Sequence, residues 1–261
     1  MTVRPVRHQR FGPAKGIAGT MTAVALLAPT EIALKGITGG RRSYLVRTFH
    51  RSLARSLGIR IITHGAPARG GPVLFVCNHV SWADIPVLGA RLPAAFIAKS
   101  DVAGWGIVGR LATLARTVYV ERTRRSSTGV QRDAISERLA AGDSLILFPE
   151  GTNSDGTGVL PFKSALFAVT DGVPQARIQP VTIAYTRVNG LPVTRMQLPD
   201  LAWVGDTALM PHVIGFMGLG RVTAEIRFHP PFRATDFADR KALALHCHTV
   251  IADAYRAMQR G

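Results

Sequence analysis

The chain has 261 residues and is 47% hydrophobic, which is enough for one α/β domain with a substantial core and an N-terminal appendage. Its formal net charge of +16 and its pI of about 11.3 predict an anionic partner, either nucleic acid or a membrane surface. An aromatic content of 7% without an RNA-binding signature argues against nucleic acid, and two cysteines without a C-x-x-C spacing indicate neither a disulfide scaffold nor a redox centre.

Residues 1–57 are predicted to form a basic membrane-associating segment. Arginine and lysine residues stand on both sides of the apolar stretch 17–28, and Glu31 is the only acidic residue before position 60. Across residues 44–57 apolar and arginine side chains each recur every four positions, which predicts a basic amphipathic helix. Pro29, Glu31 and Lys35 interrupt the apolar stretch, so shallow insertion is favoured over a crossing. A cleaved signal peptide is the alternative.

The five apolar residues of 73–77 predict a strand that is buried on both faces. The strand leads into His79 and, five residues later, Asp84. A neutral imidazole can accept a hydroxyl proton when a partner holds its tautomer, and a helix beginning at Ser81 would let Asp84 fold back towards His79 Nδ1. The same residues also fit a capping box, in which Asp84 satisfies backbone donors and His79 is an ordinary loop residue.

The remaining segments alternate between strand and helix patterns and predict one α/β layered domain over residues 58–261. Residues 209–219 are apolar; buried core is the default prediction, and contact with an acyl chain or lipid is the alternative. The predicted strands cover 59–62, 95–98, 118–122, 145–148, 178–184 and 222–228, and the predicted helices cover 106–115, 127–141 and 236–259.

Two further strand ends carry polar side chains. The strand 145–148 leads into Pro149, Glu150, Gly151 and Thr152, and the strand from 118 ends at Arg122. Open α/β sheets bind ligands at the carboxyl ends of their strands, so we expect Glu150 to line the same crevice as the histidine. The planar guanidinium of Arg122 matches a phosphate group. An ordinary solvated turn is the alternative at both places.

The order of these elements resembles the lysophosphatidate acyltransferase family of glycerolipid acyltransferases. An N-H-x-x-x-x-D element, a strand ending in Glu-Arg, the sequence F-P-E-G-T and an apolar strand with the internal Pro180 follow one another over residues 70–185. The resemblance implies a glycerolipid-acyltransferase-like layered fold with a mixed sheet flanked by helices. It also implies an O-acyltransferase that uses acyl-ACP or acyl-CoA as co-substrate and has no metal or other cofactor.

The resemblance implies roles for eight residues. His79 matches the general base and Asp84 its orienting partner, acting on an acceptor hydroxyl that attacks the acyl thioester directly. Arg122 matches an arginine that contacts the acceptor phosphate. The other residues implied to bind the acceptor are Glu150, Gly151, Thr152, Lys99 and Lys163.

The acceptor is the least determined part of the prediction. Many relatives have an arginine where this chain has Asn153, and E-G-T-x-x-D-G is similar to bacterial members that acylate lyso-ornithine lipid. We expect 1-acyl-glycerol-3-phosphate as acceptor, giving phosphatidic acid, with lyso-ornithine lipid as the alternative and a non-catalytic basic membrane or nucleic-acid binding module as a further one. The expected partners are the lysolipid, the ACP or CoA thioester and an anionic membrane surface, with no nucleic acid. Because thioester donors are cytosolic, the expected location is the cytoplasmic face of the inner or plasma membrane.

Overall fold

A mixed β-sheet forms the centre of the fold. The computed structural model describes residues 18–22, 24–26, 29–30, 44–120, 128–205 and 207–260. Within them the strand order is β1-β8-β6-β2-β5-β3-β4, and β7 and β9 also pair with β6. The strands are β1 (Ile59–His64), β2 (Val73–Cys77), β3 (Ala95–Lys99), β4 (Val118–Val120), β5 (Leu145–Leu147), β6 (Arg177–Val188), β7 (Leu191–Pro192), β8 (Val222–Phe228) and β9 (Phe232–Arg233).

Helices flank this sheet, as predicted. The α-helices are α1 (Tyr44–Ser56), α2 (Asp84–Gly89), α3 (Gly106–Leu114), α4 (Thr128–Ala140), α5 (Leu198–Leu201), α6 (Leu209–Gly218) and α7 (Arg240–Arg260). Short 3-10 turns occupy Ser100–Gly104, Ser164–Thr170, Arg195–Gln197 and Ala234–Asp236, and residues 18–22, 24–26 and 29–30 are helical.

Two helices begin later than the start considered for them from the sequence. The helix expected from residue 236 begins at Arg240, because the Asp239 carboxylate accepts hydrogen bonds from the backbone N–H groups of Lys241 and Ala242 and so sets the first turn. The helix expected from Ser81 begins at Asp84.

The core fills both faces of the sheet. All five residues of β2 are buried, as the apolar run predicted. Cys77 has no exposed surface, and burial raises the pKa of its thiol, which fits a small core residue. Residues 209–219 divide between the two predicted environments, because Phe216 is fully buried whereas Met210 and Ile214 are exposed.

The parallel strands place the predicted site residues along one edge. β2, β5, β3 and β4 are parallel neighbours in that order, so their carboxyl ends share an edge of the sheet. His79 follows β2, Glu150 follows β5 and Lys99 ends β3. Arg122 comes two positions after the end of β4 and lies outside the described residues.

The predicted basic amphipathic helix is α1. It buries Ala54 and exposes Arg51 and Arg55, and it packs against α2. Among the described residues, no helix combines the length and apolar character that a membrane crossing requires. Residues 1–17 and 31–43 of the predicted membrane-associating segment lie outside the described residues.

Candidate active site

The turn between β2 and α2 holds His79 against Asp84. His79 Nδ1 lies 2.7 Å from Asp84 Oδ2, and the imidazole is 17% exposed while the carboxylate is fully buried. A carboxylate only accepts hydrogen bonds, so the proton of the neutral imidazole is on Nδ1. Nε2 is then the hydrogen-bond acceptor of the ring.

Asp84 is fixed by three further hydrogen bonds. Its Oδ2 accepts from the backbone N–H groups of Val80 at 2.7 Å and Ser81 at 3.0 Å, and its Oδ1 accepts from the Tyr185 hydroxyl at 2.7 Å. The carboxylate therefore satisfies backbone donors and orients the histidine at the same time. Both sets of contacts expected of Asp84 are therefore present, because it is the first residue of α2 and reaches back over the turn to backbone donors and to His79.

Tyr185 is a site residue that the sequence prediction missed. The predicted strand 178–184 ends one residue before it, whereas β6 continues to Val188. Burial and the neighbouring Asp84 raise the pKa of Tyr185 well above its ordinary value, so its hydroxyl remains a donor.

Asn78 fixes the end of β2 and was also missed. Its side-chain Nδ2 donates to the Ile183 carbonyl, and its Oδ1 accepts from the Ile183 N–H, both at 2.9 Å. The amide thus continues the ladder between β2 and β6 by one step beyond Cys77. This fixed end sets the direction in which His79 leaves the strand.

Glu150 joins the second loop to the histidine turn. Its Oε1 accepts from the His79 N–H at 2.7 Å, and its Oε2 accepts from the Leu160 N–H at 2.8 Å. Ser154 adds a bond from its N–H to the His79 carbonyl at 2.8 Å. Burial raises the pKa of Glu150 to about 7, against the effect of the two N–H donors, which lower it.

An aromatic ring supports the imidazole from one side. Phe148, the residue directly after β5, stacks on His79 with centroids 4.0 Å apart and planes 15° apart. Phe96 of β3 stacks on Phe148 in turn, at 6.3 Å. The stack restricts tilting of the imidazole, while the bond to Asp84 restricts its rotation.

The other predicted residues lie at the edge of this centre. Gly151 has φ +75°, and a Cβ there would come within 2.7 Å of Lys163 Nζ, so glycine leaves room for the lysine to cross the loop. Thr152 and Lys163 are exposed. Lys99 is exposed at the end of β3, two strands from β2 and therefore about 10 Å across the sheet.

Comparisons with known proteins identify the family. The model of the family described as Acyltransferase matches residues 58–184. The chain is 45% identical over 235 residues to a Brucella abortus protein named lyso-ornithine lipid O-acyltransferase, with 87% of this chain and 88% of that protein covered. The chain belongs to the Acyltransferase family. This acyltransferase is also 32% identical over 216 residues to the 1-acyl-sn-glycerol-3-phosphate acyltransferase of Neisseria meningitidis serogroup B, with 80% and 81% covered.

A solved structure shows the same fold. The 1-acyl-sn-glycerophosphate acyltransferase PlsC of Thermotoga maritima aligns with a TM-score of 0.70 over 95% of both chains at 17% identity. The mixed sheet flanked by helices is therefore confirmed. The resemblance to glycerolipid acyltransferases is confirmed by the family model and the named relatives. The acyltransferase activity on the lysolipid class follows from the family and the named relatives.

Proposed function

We propose that this acyltransferase moves a fatty acyl group from acyl-ACP or acyl-CoA to the free hydroxyl of lyso-ornithine lipid, with His79 as general base. The observation that carries the proposal is the 2.7 Å contact between His79 Nδ1 and the buried Asp84 carboxylate at the carboxyl edge of the sheet. A histidine whose Nδ1 proton is held in this way offers Nε2 to a substrate proton.

The chemistry needs only a base and two positioned substrates. The hydroxyl proton of the acceptor passes to His79 Nε2 while the hydroxyl oxygen bonds to the thioester carbonyl carbon. The tetrahedral intermediate collapses, the C–S bond breaks, and the leaving thiolate takes the proton back from Nε2. The products are an ester and a free thiol, and the enzyme is unchanged. Positioning of the two substrates contributes up to about 7–11 kcal/mol in favourable cases.

Asp84 and Glu150 support this base in different ways. The buried Asp84 carboxylate stabilises the imidazolium that forms during proton transfer, because opposite charges attract strongly where water is excluded. Both Glu150 oxygens are engaged by main-chain N–H groups of the two loops. Its proposed role in acceptor binding is therefore to hold the loop that carries Gly151 and Thr152.

The polar rim of the edge would bind the acceptor headgroup. The exposed ammonium groups of Lys99 and Lys163 and the exposed hydroxyl of Thr152 are available to an acceptor at this edge. Arg122 follows β4 at the same edge in the sequence, and its contact with the acceptor stays a proposal, like that of the lysines.

Asn153 favours lyso-ornithine lipid over lysophosphatidate. Its Nδ2 is buried and has no hydrogen-bond partner in the described part of the chain. Asn153 lies between Glu150 and Ser154, which both bond to the main chain of His79. An uncharged amide donor in place of an arginine suits a headgroup without a phosphate, and the 45% identical relative is named for lyso-ornithine lipid.

Lysophosphatidate is the second candidate. The exposed Lys99 and Lys163 supply positive charge that a phosphomonoester would use. The 32% identical Neisseria relative is named for this acceptor.

We further propose that α1 attaches the enzyme to an anionic membrane surface, at the cytoplasmic face where thioester donors are available. Arg47, Arg51 and Arg55 recur every four residues, and none of them forms an ion pair with a described acidic residue. Burial and these three guanidinium groups lower the pKa of Arg91, which shows that the four positive charges lie close together. An anionic leaflet would neutralise such a cluster.

An acceptor assay tests the proposal. The purified full chain is given lyso-ornithine lipid or lysophosphatidate with one labelled acyl-ACP or acyl-CoA, and we expect kcat/KM at least tenfold higher for lyso-ornithine lipid. Asn153→Arg should shift this ratio towards lysophosphatidate, whereas the control Asn153→Gln, which keeps the amide, should not. A wild-type preference for lysophosphatidate would establish the second candidate instead. Absence of transfer to either acceptor from both donors would contradict the proposed function.

A further inference from the structure

Two segments beside the histidine turn expose large apolar side chains to solvent. Ile107 is 58% exposed and Met210 is 63% exposed. Soluble proteins rarely leave such side chains in a contiguous group unless the surface has a function. We name this group the tryptophan platform. Its members are the exposed Trp105, Ile107, Val108, Val204, Met210 and Ile214, together with the half-buried Trp203 that contacts Trp105.

The two segments contact each other and the catalytic turn. The rings of Trp105 and Trp203 meet edge to face with centroids 6.1 Å apart. The main-chain N–H of Trp203 donates to the carbonyl of Val80, the residue after His79, at 3.0 Å. Trp82 Nε1 donates to His212 Nδ1 of α6, also at 3.0 Å. The platform therefore borders the turn that carries the proposed base.

None of the seven platform side chains carries a formal charge, and Asp206 is the one charged residue between Val204 and Met210 in the sequence. The stretches 102–109 and 207–220 lack lysine, arginine, aspartate and glutamate. Their one histidine, His212, accepts from Trp82 through Nδ1 and donates from Nε2 to the Ala202 carbonyl at 2.9 Å, which is the pattern of a neutral ring.

Basic side chains border this apolar surface. Lys99 and Arg110 are exposed and stand on either side of the stretch that carries Trp105, and the exposed Asp101 lies between Lys99 and that stretch. Apolar side chains with indole rings and a basic border match the boundary between lipid headgroups and acyl chains, where indoles concentrate and lysine and arginine meet phosphates. A lipid acceptor must also bring its hydroxyl from that boundary to His79.

We infer that the tryptophan platform inserts shallowly into the acyl–headgroup boundary of a phospholipid bilayer. The platform is then a second membrane contact, which is apolar, whereas the contact proposed for α1 is basic. It would hold the catalytic turn at the depth of the acceptor hydroxyl. The inference rests on the proposed function for its biological purpose. Its test needs neither acceptor nor donor.

Two of the three tryptophans of the chain, Trp105 and Trp203, belong to the platform, so intrinsic fluorescence reports on this surface. The third, Trp82, contacts His212 of α6 beside the platform. The full chain is mixed with phosphatidylcholine vesicles, with and without bromine on the acyl chains, in about 1 M salt, where the Debye length is about 3 Å and attachment through α1 is screened. We expect a blue shift and strong quenching by the brominated lipid. Trp105→Phe with Trp203→Phe should remove most of the quenching, although Trp82 still fluoresces.

Charge placed on the platform gives a second readout. Met210→Glu with Ile214→Glu should lower partition into these vesicles at least tenfold. The control is Leu245→Glu on α7, since Leu245 is equally apolar and 66% exposed, and it should bind as the wild type does.

Three results would overturn the inference. The first is the absence of quenching by the brominated lipid, and the second is vesicle binding by the Met210→Glu, Ile214→Glu variant that equals that of the wild type. The third is a dimer that the wild type forms without lipid, as measured by sedimentation, and that the same variant does not form. A dimer of this kind would assign the surface to a second copy of the chain. Failure of the proposed function would give a different result, because the brominated lipid would still quench the fluorescence although no acceptor is acylated.

Discussion

Tyr185→Phe isolates the support that β6 gives to the catalytic pair. The substitution removes one hydroxyl, and the phenyl ring can keep its edge-to-face contact with Phe216 at 6.2 Å. The change leaves Oδ1 of the buried Asp84 without the 2.7 Å bond that it accepts from Tyr185. The bond from Asp84 Oδ2 to His79 remains, so the base is present but less firmly oriented.

The expected size of the effect follows from the burial of the carboxylate. A hydrogen bond to a charged group is worth about 1.5–3 kcal/mol, so the free energy of unfolding should fall by that amount. For a chain of this length the melting temperature should fall by about 3–12 °C. The carboxylate keeps its three bonds at Oδ2 but loses the one that holds Oδ1, and we expect kcat/KM to fall roughly tenfold, which corresponds to about 1.4 kcal/mol.

Tyr255→Phe is the matched control. Tyr255 is as deeply buried as Tyr185, and its hydroxyl donates at 2.7 Å to the neutral carbonyl of Gly156 instead of to Asp84. Its loss should cost about 1 kcal/mol of stability and leave kcat/KM within about twofold of wild type. Both variants are compared by thermal unfolding and by acyl transfer from a labelled thioester. Equal kcat/KM in the two variants would refute the role given to Tyr185.

Two further predictions concern the loop after β5. Because burial raises the pKa of Glu150 from 4.5 to about 7, its contribution to stability is complete below pH 4.5 and is lost as the pH rises through 7. In denaturant unfolding, the wild type should therefore lose about 3 kcal/mol of stability relative to Glu150→Gln across this interval. The same pH dependence in both proteins would contradict this prediction. Gly151→Ala should cost about 1–2 kcal/mol of stability and, by displacing Lys163, raise the acceptor KM more than it lowers kcat. Gly142→Ala has a similar positive φ with open space around it, so it should cost similar stability and leave KM unchanged, and an equal KM in the two variants would exclude a headgroup role for Lys163.

Local patterns predicted most of the sheet. β2 was predicted with its observed bounds. An unbroken apolar run between a Gly-Pro pair and Asn78 is compatible with few conformations other than a buried strand. The positions of His79 and Glu150 followed from the rule that parallel strands share a carboxyl edge. These are consequences of burial and strand direction, both of which a sequence carries locally.

Long-range contacts could not be predicted in this way. Tyr185 reaches Asp84 across 101 positions of the chain, and in the sequence it differs little from any other apolar residue of a strand. The bonds from the Glu150 oxygens to the main-chain N–H groups of His79 and Leu160 were not predicted, because no spacing rule reveals them. The start of α2 was misplaced for a related reason, since the Asp84 carboxylate serves the turn before the helix.

His79→Ala gives the most direct test of the mechanism. The purified variant is assayed for transfer of a labelled acyl group to lysolipid, and thermal unfolding verifies that it is folded. If Nε2 is the base, kcat should fall by about 10²–10⁴ while the variant stays folded, because the substrates still bind but no group takes the hydroxyl proton. Turnover within a few-fold of wild type by the folded variant would show that the proton leaves by another route.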